Sequence, residues 1–236
     1  MIEGKSNFIF DAIKQAISNK EKLLSILIDP DKFDLSKSET FLNRIPASTN
    51  YLFVGGSQVE NGQTELVVKR LKQFSELPII LFPGDINQIT NKADAILFLS
   101  LLSGRNPEYL INQQVKSISK LQHSSLEIIP TGYILVDGGV STSVLKISQT
   151  RAISQDRISE VIHTALAGQF SGKQLIYLEA GSGAKFPVSA EIISEVKKNI
   201  SIPLIVGGGI RNNLQKQTAH QAGADMVVMG NAFEMP

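Results

Sequence analysis

Residues that could do chemistry stand at the ends of apolar runs. The stretch PLIVGGGIRNN (203–213) stops such a run against Gly207, Gly208 and Gly209. A backbone without side chains can take positive φ and lets a ligand come close to its amides. EAGSGAK follows the run ending at Glu179 and supplies Gly181, Ser182 and Gly183; GNAFE follows the run ending at Met229 and supplies Gly230 and Asn231. Bared backbone N–H groups bind anions, phosphate above all, and a helix starting near Asn212 would add its free N–H groups. One such turn can be only a tight turn. Three at neighbouring strand ends describe a phosphate cup.

The carboxylates suggest the rest. Glu179 ends the otherwise apolar LIYLE, and burying a carboxylate is costly unless it is paired or put to use. Beside a phosphate cup it suits a general base; a structural ion pair is the other reading. LIDPDKF places Asp29, Asp31 and Lys32 after the first run, and VGGSQ places Ser57 after the second. Carboxylate oxygen suits Mg2+, which takes one or two protein ligands together with substrate phosphates and water. Asp29 is the candidate ligand, with the Ser57 hydroxyl or carbonyl beside it. The other reading of Asp29 is a turn or cap carboxylate before a helix that starts near Ser36.

These residues need strands to carry them. Eight short apolar runs occur: 23–28, 51–54, 79–82, 95–99, 126–129, 175–179, 203–206 and 226–229. Most are apolar throughout, as in strands buried on both faces. Amphipathic helix-length segments lie between most of them, such as Thr64 to Phe74, Pro107 to Leu121, Asp156 to Phe170 and Ala190 to Asn199. The alternation predicts an α/β fold with parallel strands, either a closed (β/α)8 TIM barrel or an open doubly wound sheet.

An internal repeat favours the barrel. Tyr51 matches Tyr177, Gly55 matches Gly181 and Pro78 nearly matches Pro203. The copies then diverge: 16 positions separate Pro78 from Asp94, but 22 separate Pro203 from Asp225. Two related half-barrels fit, with the third crossover helix reduced to a loop. Phe8, Ile9, Ala12, Ile13, Ala16 and Ile17 recur at helical spacing and predict an extra N-terminal helix packed on the body.

Composition sets the bounds. A chain of 236 residues that is 42% apolar can build a core, as one large domain or two small ones, and the barrel reading makes a single domain over 1–236 the expectation. A net charge of +1 argues against nucleic acid as a partner. Without cysteine there is no disulfide framework and no thiolate metal site, which is compatible with a cytoplasmic location. No run reaches membrane-spanning length, which leaves room only for transient membrane contact.

LIDPDK, FVGGSQ, PTGYILVDGG, YLEAGSGA, VGGGIR and VVMGNAFE, in that order, resemble the geranylgeranylglyceryl phosphate synthase family, which includes the bacterial PcrB-like enzymes. The resemblance runs from about Leu24 to Glu234. It implies a modified (β/α)8 barrel lacking the third helix. It implies Mg2+-dependent transfer of a prenyl group from a polyprenyl diphosphate to the C3 hydroxyl of sn-glycerol 1-phosphate. The AGSGA form resembles the archaeal-type group II branch, generally geranylgeranyl transferases that assemble as homo-oligomers, dimers or hexamers. Carried onto this sequence, Asp29 and Ser57 become magnesium ligands. Tyr177, Leu178, Glu179, Ala180, Gly181, Ser182 and Gly183, with Gly208, Gly209, Gly230 and Asn231, become the sn-glycerol 1-phosphate site. Glu179 would take the hydroxyl proton, and Tyr177 would hydrogen-bond the glycerol or shield a cationic carbon.

The prenyl chain needs an apolar groove. Tyr133, in the family-like TGYI, would gate it, and the missing helix leaves side room near Phe82 to Ile89. Arg105 is either a diphosphate contact or a surface arginine at a helix start. Group I members carry a lysine two positions before the first aspartate, where this chain has Leu27. The residues after the eighth strand are too few for an eighth helix. Either the N-terminal helix and a partner subunit cover that gap, or the natural chain is longer. A sugar-phosphate isomerase on the same barrel, and a non-catalytic barrel that binds a prenyl lipid, remain the alternatives.

Overall fold

The computed structural model describes residues 8–230 and Phe233. Eight parallel strands close a barrel in sequence order: β1 (Leu23–Ile28), β2 (Tyr51–Val54), β3 (Ile79–Leu81), β4 (Ala95–Leu101), β5 (Glu127–Leu135), β6 (Leu175–Glu179), β7 (Leu204–Gly207) and β8 (Met226–Met229), with β8 pairing back onto β1. Two apolar clusters explain why the runs lack alternation. Ile26, Leu52, Val54, Ile176, Leu178 and Val206 pack outward against the helices, while Phe53, Ile80, Leu97, Tyr133, Tyr177 and Ile205 fill the interior.

The outer layer consists of α2 (Ser38–Arg44), α3 (Gln63–Leu71), α4 (Gln113–Leu121, entered through a π segment, Glu108–Asn112), α5 (Ser143–Ser148), α6 (Ile158–Phe170), α7 (Ala190–Asn199) and α8 (Asn213–Gln221). Between β3 and β4 the described residues contain only a 3-10 turn, Ile86–Gln88. The third crossover helix is therefore missing, as the shortened repeat predicted. The buried Gln88 side chain fixes the replacement loop, donating to Gly56 O at 2.8 Å and accepting from Gly56 N at 3.1 Å. The seam here is thin: β3 and β4 share two register pairs, Ile80↔Ala95 and Leu81↔Ile96, whereas β4 and β5 share seven.

The two halves carry the same clasp. Asp94 accepts from Ile79 N at 2.8 Å, and Lys72 lies 2.6 Å from it. Asp225 accepts from Leu204 N at 2.7 Å, and Lys197 lies 2.6 Å from it. Each aspartate ties the start of one strand to the end of the preceding helix, at equivalent places in β3–β4 and β7–β8.

The N-terminal helix α1 (Phe8–Ser18) packs on the body, as its periodicity predicts. Ile9, Phe10 and Ile13 join the interior cluster beneath the strands. Its first turn donates from Ile9 N and Phe10 N to the buried Glu127 carboxylate at 2.7 Å each, where a negative charge suits the positive helix end. Among the described residues the helix closes the N-terminal end of the barrel.

Candidate active site

The C-terminal mouth opens into a cavity of ≈ 460 Å³ lined by residues of β1, β4, β5, β6 and β8 and by the segments that follow β2, β3 and β7. Tyr177 and Glu179 lie two apart on β6 and both face inward. The Glu179 carboxylate is buried, and its Oε1 accepts from Gly181 N at 2.7 Å. Burial pushes this carboxyl up from 4.5 to about 7, opposed by the Gly181 amide and, less, by the Tyr177 hydroxyl. A base whose affinity for protons sits near neutrality is matched to proton transfer at physiological pH. The Tyr177 hydroxyl lies near this carboxylate but makes no hydrogen bond of ordinary geometry. Burial and the Glu179 charge raise both Tyr177 and Tyr133 well above the usual phenol range, so both remain O–H donors.

The glycines of β7 fit around these groups. Gly207 is paired in register with Glu179, and a Cβ on it would approach Glu179 Oε2 to 2.9 Å and fall on the Tyr177 hydroxyl. Gly208 has φ +78°, and a Cβ there would fall on Glu179 Oε1 and come within 2.5 Å of Gly181 N. Among the described residues, the amides of Gly183, Gly208 and Gly209 are donated to no partner, and all three residues line the cavity with Gly230. These are the glycine-bordered amides that the sequence led us to expect around a phosphate, gathered at one mouth, with two differences from that expectation. A Cβ on Gly209 would point at the backbone of Phe186 and Pro187, 3.0 Å away, rather than into the cup. The first turn of α8 is also partly occupied by its own residues: Asn212 Oδ1 accepts from Gln215 N and Gln215 Oε1 from Arg211 N. The cup is built from loop amides more than from that helix end. Asn231 lies outside the described residues.

Across the mouth, Asp29 follows β1 and Ser57 follows β2. Both line the cavity. Asp29 Oδ1 accepts from Asp31 N at 3.2 Å, and Oδ2 pairs with Lys32 at 3.0 Å. A Cβ on Gly56 would lie 3.2 Å from Asp29 Oδ1, so the carboxylate rests against the loop that carries Ser57. Asp31 is committed elsewhere, accepting from Glu60 N at 3.0 and 3.2 Å. No group of three metal-binding side chains occurs among the described residues. One carboxylate beside a serine fits the way Mg2+ binds jointly with substrate phosphates and does not fit an all-protein cage.

Between these two sides lies an aromatic floor. Phe82 stacks on Tyr177 (centroids 5.2 Å apart, 19° between planes), and Tyr133 meets both edge-on at 5.6 and 5.5 Å. The cavity then leaves the barrel through the gap of the missing helix. Phe82, Ile86 and Ile89 line one side of this slot; β4 lines the other from both its faces, with Leu97 and Leu99 inside and Ile96 and Phe98 outside. The expected side room is therefore present, and Tyr133 stands at its entrance.

Arg105 is not brought to this cavity. It lines a separate hollow beside α6, where its guanidinium faces Glu160 at 3.8 Å. The diphosphate role is withdrawn and the surface reading holds. Sequence reasoning missed the inner face of α4, which turns the buried Gln114 and Ser117 toward the slot and leaves Ile111, Val115 and Ile118 exposed. Helical periodicity would have placed the apolar stripe inward. It also missed Thr142, a buried threonine on the cavity wall.

Amides bordered by glycine, a buried carboxyl raised to about 7 and an apolar annex opening through the barrel wall make this a (β/α)8 barrel whose cavity has a polar end and an apolar end. The chain belongs to the PcrB family, whose model matches residues 16–235. It is 54% identical over 226 residues to a geranylgeranylglyceryl phosphate synthase of Zunongwangia profunda (96% of this chain, 97% of the relative). It is 40% identical over 217 residues to the synthase of Thermococcus gammatolerans (91% and 85%). The crystal structure of (S)-3-O-geranylgeranylglyceryl phosphate synthase from Thermoplasma acidophilum in complex with substrate sn-glycerol-1-phosphate superimposes with a TM-score of 0.88 at 33% identity, covering 97% of this chain and 92% of that one.

Proposed function

We propose that this chain transfers the geranylgeranyl group of geranylgeranyl diphosphate to the C3 hydroxyl of sn-glycerol 1-phosphate, releasing diphosphate. The observation that carries the reading is the placement of Glu179 in one continuous cavity, between the unpaired amides of Gly183, Gly208 and Gly209 and the apolar slot. The amides would hold the glycerol phosphate, and residues Tyr177 to Gly183 with Gly230 and Asn231 would complete its site. The prenyl chain would lie over Phe82 and Tyr133 and leave through the slot. Asp29 and Ser57 would hold Mg2+ at the diphosphate end; bound there, the ion supplies charge that stabilises the leaving group.

The chain's own groups then have defined tasks. Holding the hydroxyl against the allylic carbon makes the encounter effectively intramolecular. A new C–O bond forms as the allylic carbon–diphosphate bond breaks, and Glu179 accepts the hydroxyl proton. The Tyr177 ring lies in the same aromatic floor, where its face can shield positive charge developing on carbon. A sugar-phosphate isomerase would share the cup but has no use for the slot. Among the described residues no helix is long and apolar enough to cross a membrane. A single-domain, cytoplasmic homo-oligomer that meets membranes only in passing is our reading of its setting.

The test is incubation of radiolabelled sn-glycerol 1-phosphate with prenyl diphosphates of graded length, with and without Mg2+. The expected result is Mg2+-dependent label in an apolar product, fastest with the geranylgeranyl donor. Turnover of a sugar phosphate without metal, and no labelled lipid, would overturn the reading. A second variant probes the cup. Gly208→Ala forces a side chain into a left-handed backbone position and onto Glu179. It should cost about 1–3 kcal/mol of stability. Glycerol phosphate affinity should fall well beyond that of Gly62→Ala, a left-handed glycine with open space around it. Thermal melts and calorimetric titration of the pair check both effects.

A further inference from the structure

Thr142 occupies the N-cap position of α5 with the extended backbone suited to capping (φ −86°, ψ 163°), yet its side chain makes no cap hydrogen bond. Threonine at this position normally accepts from a first-turn amide. Here the side chain is buried, with 4% of the residue exposed, and among the described residues Oγ1 has no hydrogen-bond partner. Thr142 lines the same cavity as Ser182 and Gly183. It is packed against Gly181: a Cβ on Gly181 would fall on the Thr142 Cγ2 methyl and lie 2.9 Å from Thr142 Cβ and 3.2 Å from Oγ1. A buried hydroxyl left unpaired is costly in a folded protein. The cost is removed when a ligand oxygen reaches it.

We propose that Thr142 is a further substrate-binding residue, its hydroxyl donating a hydrogen bond to the glycerol phosphate held against the Gly181–Gly183 loop. This rests on the substrate reading above. Thr142 would fix the ligand from the β5 side, opposite the amides of Gly208 and Gly209. A hydrogen bond to a charged oxygen is the strong kind, so its loss should be visible in affinity.

The experiment compares wild type, Thr142→Val and Thr142→Ser. Valine keeps the volume and removes the hydroxyl; serine keeps the hydroxyl. Calorimetric titrations use sn-glycerol 1-phosphate and, separately, inorganic phosphate. Steady-state kinetics give KM for each substrate, and thermal melts are taken without ligand. For Thr142→Val the expected result is a KM and Kd for glycerol 1-phosphate raised on the order of 10-fold or more. KM for the prenyl diphosphate should be unchanged, and the ligand-free melting temperature equal or higher. Thr142→Ser should bind within a few-fold of wild type. If Thr142→Val binds both phosphate ligands as wild type does, the proposal fails. A lowered melting temperature with unchanged affinity would mark a structural cap and overturn it equally. Failure of the substrate reading looks different: wild type itself would not bind sn-glycerol 1-phosphate. Inorganic phosphate then still decides whether the hydroxyl meets an anion.

Discussion

Replacing Glu179 with glutamine should slow turnover by roughly 10²–10⁴-fold, the usual worth of a positioned general base, while making the protein more stable at alkaline pH. Both effects have one cause. Burial raises the carboxyl from 4.5 to about 7, so the folded state holds this proton more tightly than the unfolded chain does. Between those two values the unfolded state binds fewer protons, and stability falls as pH rises through the window, then levels off above it. At about 1.4 kcal/mol per unit the loss is at most about 3.5 kcal/mol. Glutamine carries no charge and escapes it. Denaturant melts should therefore coincide near pH 4.5 and separate by pH 8, with the variant ahead. In the wild type, kcat/KM should climb with pH to a plateau as Glu179 deprotonates near 7. The variant should lack that rise. An active variant with an unchanged pH profile would remove Glu179 from the chemistry.

Asp29→Asn should lower turnover by at least about 10³-fold, because several kcal/mol of charge stabilisation at the leaving group depend on the metal it would hold. The amide can still accept from Asp31 N, so the local turn should survive. The glycine cup lies after β6, β7 and β8, across the mouth, so calorimetric binding of sn-glycerol 1-phosphate should persist. Titration of activity with Mg2+ separates the causes: weaker metal binding shifts the activation curve to higher concentration. A variant that turns over at the wild-type rate in ordinary Mg2+ would show that the ion, if used, is held elsewhere.

The parts of this molecule that could be read from sequence are those fixed by short-range physics. Buried parallel strands must be apolar on both faces, and the runs 23–28, 51–54, 175–179 and 226–229 coincide with β1, β2, β6 and β8. Glycines that admit a neighbour leave a direct trace, as at Gly207 and Gly208. β5 was under-read because Pro130 and Gly132 interrupt it, yet it runs from Glu127 to Leu135. Proline usually marks an edge or an end; here Pro130 is paired in register with Phe98 inside the barrel. The inner face of α4 could not be read because periodicity alone would turn the apolar stripe toward the core. In α4 the polar stripe faces the slot. Thr142 left no trace, since its significance lies in a hydrogen bond it does not make. Arg105 failed for a related reason: position along the chain after β4 does not say toward which hollow a long side chain turns.

The thin seam between β3 and β4 bears on how the barrel holds together. In a complete (β/α)8 barrel a helix would brace this join from outside. Here Ile86 and Ile89 stand on one side and Leu97 and Phe98 on the other, with the loop pinned by Gln88 and the polar face of α4 beside them. A prenyl chain laid in the slot touches both sides at once. It would take the place of the absent brace, so the substrate's tail would splint this thin seam for as long as it stays. Product departure would then loosen the same seam, leaving the wall that admits the next chain softest when the slot stands empty.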